Sequence, residues 1–346
     1  MLGMIEPNRA PEAPSGAVRA VGGCLRMSVE PAYPRAERAR LDTGARTTAR
    51  PADRAVGALP TFYINRDRDP DRRKSLEEHL TVAGMSGERI TAVEGLAVPV
   101  DFKDMFFEGT ALHSRLKPGE VGCYASHLKT MKVIVERDFD YALVLEDDAI
   151  LPADFHTIVA QVLARLPQGW DLVHICKDTN RAVKPVADLD HGHRIVRYSR
   201  VPETTTAYLV SQSGAKKFLQ PIKRYWPVDT DFRQPWRFGL EIYGVDPCIV
   251  RPNGRFVSAI HGLGNHSRLR RGLPIPSAHC WTGNPLHTPE GVVFNLKKLG
   301  PSAWALCTFH NTMRRIVSIL GLRPVLRRLR LEGLGTRLAG NLAAGR

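Results

Sequence analysis

The chain has 346 residues, 43 % hydrophobic and 24 % charged, with a formal net charge of +14 and a pI near 9.8. Its composition excludes a low-complexity or fibrous chain, and it holds no run of roughly 18 apolar residues that would read as a membrane span. Six cysteines, none spaced as CxxC, argue against a zinc ribbon or thioredoxin-type motif and read as buried thiols of a reducing compartment, so a cytoplasmic location is expected.

Residues 1–58 are rich in Ala, Arg, Pro and Gly and keep neither a helical nor a strand period; a disordered basic tail is expected. Pro7, Pro11 and Pro14 interrupt any apolar core of a secretory leader there. Order should begin at Leu59, with a first strand to Asn65, a charged turn from Arg66 to Arg73 and a short helix to about Val82. A second strand is expected over Arg89–Val93, and 95–116 reads as irregular. Pro118 and Glu120 suit the start of a helix running to about Arg137, with Val121, Ala125, Leu128, Met131 and Val135 as its apolar stripe.

Tyr141–Leu145 is a continuous apolar run, as in strands covered on both faces. A helix over 152–166 and a buried strand over Asp171–Ile175 follow. This alternation predicts an α/β domain with a mainly parallel sheet over about 59–265. Later elements are a strand near Thr205–Val210, a helix over Ser211–Leu219 with Ser211 as N-cap, and strands near Tyr243–Val250 and Phe256–Ile260. A C-terminal extension over 266–346 holds an apolar helix from about Pro301 and then arginines; 301–346 carries eight Arg against one Glu. That pattern reads either as an anchor on an anionic membrane surface or as a packed helix with a solvated basic end. The basic residues gather in the tails and no nucleic-acid motif is present, so no nucleic-acid partner is expected.

Glu146-Asp147-Asp148 puts three carboxylates directly after a buried strand. Clustered anions are costly to bury without a cation among them, and a divalent metal is the usual resolution. The carboxyl end of a strand in a parallel sheet is also where ligands collect. A metal held there can bridge the phosphates of a nucleotide sugar. A charged loop ahead of Pro152, or the acids of a metal-dependent phosphohydrolase, would look the same in isolation.

Five blocks stand in order, the triplet in the third: Tyr63-Ile64-Asn65-Arg66 with Asp71-Arg72-Arg73, then Gly119-Glu120-Val121-Gly122-Cys123 with Ser126-His127, then Leu145-Glu146-Asp147-Asp148, then Ala207-Tyr208-Leu209-Val210-Ser211 with Gly214-Ala215-Lys216-Lys217, and then Pro227-Val228-Asp229. Together they resemble glycosyltransferase family 25, the lipopolysaccharide-biosynthesis type, over about 60–260. The resemblance implies a GT-A-like (Rossmann-like) mixed sheet flanked by helices. It also implies a nucleotide-sugar donor, commonly UDP-galactose, a divalent metal, usually Mn²⁺, and a saccharide or lipid-linked saccharide acceptor. An inactive member that binds saccharide or nucleotide without turnover is the alternative within the family.

Asp148 is the first expected metal ligand, and Glu146 either a second ligand or a ribose partner; Asp147 is placed at the donor. Asn65 and Arg66 end the first strand and should face the nucleotide, while Arg72 offers a guanidinium for phosphate. The resemblance moves Glu120, Ser126 and His127 toward the donor, and Cys123 reads as packing. An inverting transferase needs a carboxylate base, for which Asp229 and then Asp231 are the candidates. His261 and His266, in a glycine-rich loop, could complete a metal shell.

Overall fold

The structure is a computed structural model, and it describes residues 59–114, 116–256 and 288–319. The tail over 1–58, the histidines His261 and His266, most of the strand expected near Phe256–Ile260 and the arginines beyond 319 lie outside the described residues. In chain order come β1 (Thr61–Asn65), α1 (Pro70–Val82), β2 (Glu88–Thr91), α2 (Lys103–Phe106), β3 (Phe107–Glu108), β4 (Ala111–Leu112), α3 (Pro118–Glu136), β5 (Tyr141–Glu146), β6 (Ala149–Ile150) and α4 (Phe155–Arg165). Then follow β7 (Leu172–His174), β8 (Val183–Asp188), β9 (Arg194–Tyr198), β10 (Ala207–Ser211), α5 (Gln212–Phe218), α6 (Val228–Phe232), α7 (Pro235–Phe238), β11 (Ile242–Asp246), β12 (Arg251–Pro252), α8 (Pro289–Leu299) and α9 (Pro301–Ile319).

Eight strands form one sheet in the order β2-β1-β5-β10-β7-β11-β9-β8. β2, β1 and β5 are mutually parallel, as are β7 and β11, while β10 and β9 run against their neighbours. β8 runs antiparallel to β9, so six strands point one way and two the other. This is the α/β, GT-A-like arrangement of a mixed sheet flanked by helices. The sheet's hairpin of β8 and β9 falls in a stretch where the sequence offered no clear period.

Alternating side chains explain why β1 and β5 read as unbroken apolar runs. Phe62, Ile64, Ala142 and Val144 face a core shared with α3 and α5, and Tyr63, Leu143 and Leu145 face a second core shared with α1 and α4. Ser211 caps α5 as expected, accepting a hydrogen bond from the Gly214 amide at 3.0 Å. Gly214 sits where a Cβ would meet the Asp171 carbonyl oxygen at 2.2 Å, so this part of the Gly-Ala-Lys-Lys block closes α5 onto the sheet. Lys217 then pairs with the buried Asp171 at 2.5 Å.

The C-terminal extension holds two helices where one was expected. Leu299 at the end of α8 and Ala303 and Cys307 on α9 pack on Ala182. The rest of α9 is less covered: Phe309, Met313, Ile316 and Ile319 are exposed. Among the described residues, no helix is long and apolar enough to cross a membrane.

Candidate active site

The parallel strands β1, β2 and β5 bring their carboxyl ends to one sheet edge, and antiparallel β10 brings its amino end to the same place. Asn65, the 92–95 loop, Glu146 and Thr205 therefore meet there. A cavity of about 410 Å³ opens at this edge, lined by Asn65, Arg72, Cys123, Glu146, Asp147 and Asp148 among others. That volume lies in the range of small-molecule and cofactor sites.

The three acids have different partners. Asp147 is 8 % exposed and engaged on both oxygens: Asn65 Nδ2 donates to its Oδ2 at 2.9 Å, and Arg72 Nε donates to its Oδ1 at 2.7 Å. Glu146 accepts a hydrogen bond from the Thr205 hydroxyl and lies 3.4 Å from His127 Nε2. Burial by itself raises the Glu146 carboxyl, but His127, Thr205 and Arg72 together hold it below the usual range. Asp148 has Arg72 at 3.3 Å from Oδ2, while its Oδ1 is buried with no hydrogen-bond partner. Burial, then the charge of Glu146, pushes Asp148 up to about 6 against the pull of Arg72. Two neighbouring carboxyls thus have pKa values driven apart, the pattern of a functional pair.

Residues expected at the donor line the cavity and also make contacts within the protein. Asn65 uses its whole amide inside the protein, donating to the Asp69 carbonyl at 3.0 Å and to Asp147, and accepting from Arg89 at 3.0 Å. Arg66 pairs with Asp69 at 2.5 Å at the cavity wall. Arg72, expected on phosphate, lies at the cavity and pairs with Asp147 at 2.5 Å and Asp148 at 3.3 Å. Arg73 pairs with Glu77 on the exposed side of α1.

The second block builds the opposite wall. Glu120 caps α3, accepting from the Lys117 amide at 2.9 Å. A Cβ on Gly122 would meet the Val93 carbonyl oxygen at 2.4 Å, so only glycine lets α3 approach the loop after β2 this closely. Ser126 ties that loop down, accepting from the Val93 amide at 2.8 Å and donating to the Gly122 carbonyl at 2.7 Å. His127 is fully buried, with Nδ1 at 2.9 Å from the Tyr208 hydroxyl.

Asp229 and Asp231 separate cleanly. Asp231 is fully buried, accepts from the Tyr124 hydroxyl at 2.8 Å and pairs with Arg237, so it anchors α6 in the core and has no open side for a substrate. Asp229, on the same short helix, is half-buried and its carboxyl is pushed up to about 6 by burial and then by Glu203. It also lies close enough for Glu146 to act on it electrostatically. Cys123, read as packing, does pack against the core, and what sequence reasoning missed is that it also lines the cavity. Its spacing of four from His127 on one helix was the available signal.

Residues 58–232 match the family model described as Glycosyltransferase family 25 (LPS biosynthesis protein). A glycosyltransferase 25 family member of Aedes aegypti is 32 % identical over 185 residues, which cover 50 % of this chain and 30 % of the relative. Procollagen galactosyltransferase 1 of Danio rerio is 29 % identical, with 50 % and 31 % covered. A Homo sapiens relative named inactive glycosyltransferase 25 family member 3 is 29 % identical, with 55 % and 34 % covered. The chain spans about a third of the length of these relatives. The matched stretch takes in half of the chain, from β1 to α6, and with it the acid triplet, the wall built by α3 and Asp229: the chain belongs to glycosyltransferase family 25.

Proposed function

We propose that the chain is a divalent-metal-dependent glycosyltransferase that moves a hexose, galactose from UDP-galactose, to a saccharide or lipid-linked saccharide acceptor with inversion. The observation that carries this reading is Asp148 Oδ1, a carboxylate oxygen buried without a partner beside a second acid at the mouth of a nucleotide-sized cavity. With both Asp147 oxygens engaged by Asn65 and Arg72, Glu146 and Asp148 are the acids better placed to hold a hard cation such as Mn²⁺. When bound, the ion would neutralise charge gathering on the departing diphosphate.

The protein's own residues do the rest. Arg72 keeps Asp147 and Asp148 in register and adds a positive charge at the phosphate end. Asp229 takes the proton from the acceptor hydroxyl as its oxygen bonds to the anomeric carbon; the bond to the diphosphate breaks, and its electron pair leaves with the diphosphate. A carboxyl pushed up to about 6 is well matched to that task near neutral pH. The name of the Danio rerio relative supports galactose as the sugar, and the family description supports a cell-surface glycan as the acceptor.

The exposed stripe of Phe309, Met313, Ile316 and Ile319 on α9, with the arginines that follow in sequence, supports a cytoplasmic protein resting on an anionic membrane. Release of UDP from UDP-galactose, measured with and without Mn²⁺ and with a saccharide acceptor, tests the central reading. Metal-dependent release that disappears in Asp148→Asn is the expected result. Nucleotide binding with no release from any donor would place the chain with the inactive members, as the human relative's name describes that protein.

A further inference from the structure

Cys123 and His127 lie four residues apart on α3 and so share a face, and Glu146 at the end of β5 meets that face. One ligand atom from each falls within 4.8 Å of the other two. His127 is held as metal-binding histidines are: Nδ1 meets the Tyr208 hydroxyl at 2.9 Å, and the buried Nε2 makes no hydrogen bond and faces Glu146 at 3.4 Å. Cys123 and Glu146 both line the cavity, which gives an ion its way in.

We propose that Cys123, His127 and Glu146 form a second cation site, one for a thiophilic divalent ion such as Zn²⁺. One thiolate, one imidazole and one carboxylate are the ligand types zinc takes, and three protein ligands leave a fourth position for water or substrate. Mn²⁺ and Mg²⁺ favour all-oxygen shells, so sulfur separates this site from the one at Asp148. Burial first, and then the acids Glu146, Asp229, Glu120 and Asp148, hold the Cys123 thiol well above its usual range, so the metal-free site keeps its proton, while the same acids attract a cation that displaces it. Zinc binding replaces the thiol proton, which goes to solvent, by an S–Zn bond. A consequence that rests on the proposed transferase reading is inhibition, because zinc would draw Glu146 away from the donor end of the site. Binding itself requires no turnover.

The full chain, stripped of metal with chelator, is titrated with Co²⁺ as a spectroscopic stand-in and then with Zn²⁺. One equivalent of Co²⁺ should raise a thiolate-to-cobalt charge-transfer band that Zn²⁺ abolishes. The band should be absent in Cys123→Ser and present in Cys307→Ser, whose thiol is buried on α9. Tyr208→Phe, which removes only the hydroxyl that positions His127, should weaken Zn²⁺ binding by about tenfold or more. No band in the native chain, or an unchanged band in Cys123→Ser, overturns the site and leaves His127 and Glu146 as an ordinary buried pair. Should Cys123→Ser fail to fold, the native titration and Tyr208→Phe still decide. Asp148→Asn should keep the cobalt band while losing Mn²⁺-dependent donor turnover, so failure of this site and failure of the transferase reading give different results.

Discussion

Asp148→Asn should stabilise the metal-free protein while ending its metal-dependent turnover. Asp148 occupies a place that disfavours its own charge, since burial and Glu146 push its carboxyl from 3.8 up to about 6. A gap of about two pK units at 1.36 kcal/mol each makes the ionised form unfavourable by about 3 kcal/mol near neutral pH. Asparagine is nearly isosteric and removes that cost. That figure is already net of the pull of Arg72 at 3.3 Å, and Arg72 keeps its contact with Asp147 at 2.5 Å. A gain of about 3 kcal/mol corresponds to a Tm rise of roughly 6–12 °C for a domain of this size.

The pH dependence fixes the sign. With the folded pKa above the unfolded one, the native carboxyl holds a proton that the unfolded chain releases. The stability this lends the wild type is full below about 4 and is lost as pH rises through about 6. Asparagine cannot titrate, so the variant's advantage is widest near neutral pH and closes toward about pH 4. Urea denaturation in chelator across that range reads it. Mn²⁺ at about a hundred times its Kd should add about 2.7 kcal/mol to the wild type and little to the variant. If Asp148→Asn were the less stable protein in chelator near neutral pH, the carboxylate would be a structural anchor, and the metal-site reasoning would fail.

Gly122→Ala gains about 1 kcal/mol of helix propensity but drives a Cβ to 2.4 Å from the Val93 carbonyl oxygen, and overpacking of that kind costs about 1–3 kcal/mol. Denaturation should show a net loss, and calorimetry weaker donor binding as the loop over 93–95 shifts; a variant equal to wild type in both would refute the close-approach account. Asp229→Asn should fold normally and lose transfer, whereas Asp231→Ala leaves buried Tyr124 and half-buried Arg237 without their carboxylate and should cost about 3 kcal/mol. Turnover per folded molecule together with Tm separates the two, and normal transfer by Asp229→Asn would remove it as the base. Phe309→Ser combined with Ile316→Ser should reduce co-sedimentation with anionic vesicles, and unchanged sedimentation would count against the membrane surface.

Much of the framework is legible in the sequence because it rests on local rules. The apolar runs of β1 and β5, the Pro118 start of α3 and the Ser211 cap of α5 each declare themselves within a few residues. The order of the blocks identifies the family and the edge of the sheet where the acids stand. The β8–β9 hairpin does not declare itself, because its alternation is broken by a register shift between Pro185 and Ala187.

What each polar side chain does was decided only by tertiary contact. Glu146, Asp147 and Asp148 are equivalent as a string. Folding gives Asp147 to Asn65 and Arg72 and Glu146 to Thr205, and leaves one oxygen of Asp148 bare. Arg72 turns to the acids because its helix starts beside them, and Asp231 turns to the core because Tyr124 and Arg237 meet it there. Cys123 reaches the cavity because Gly122 lets α3 come close. Short-range patterning sets which segments become helix or strand; the pairing of polar groups at the sheet edge depends on residues 81 or 82 positions apart meeting, as His127 and Tyr208 or Asn65 and Asp147 do, and no local period records that.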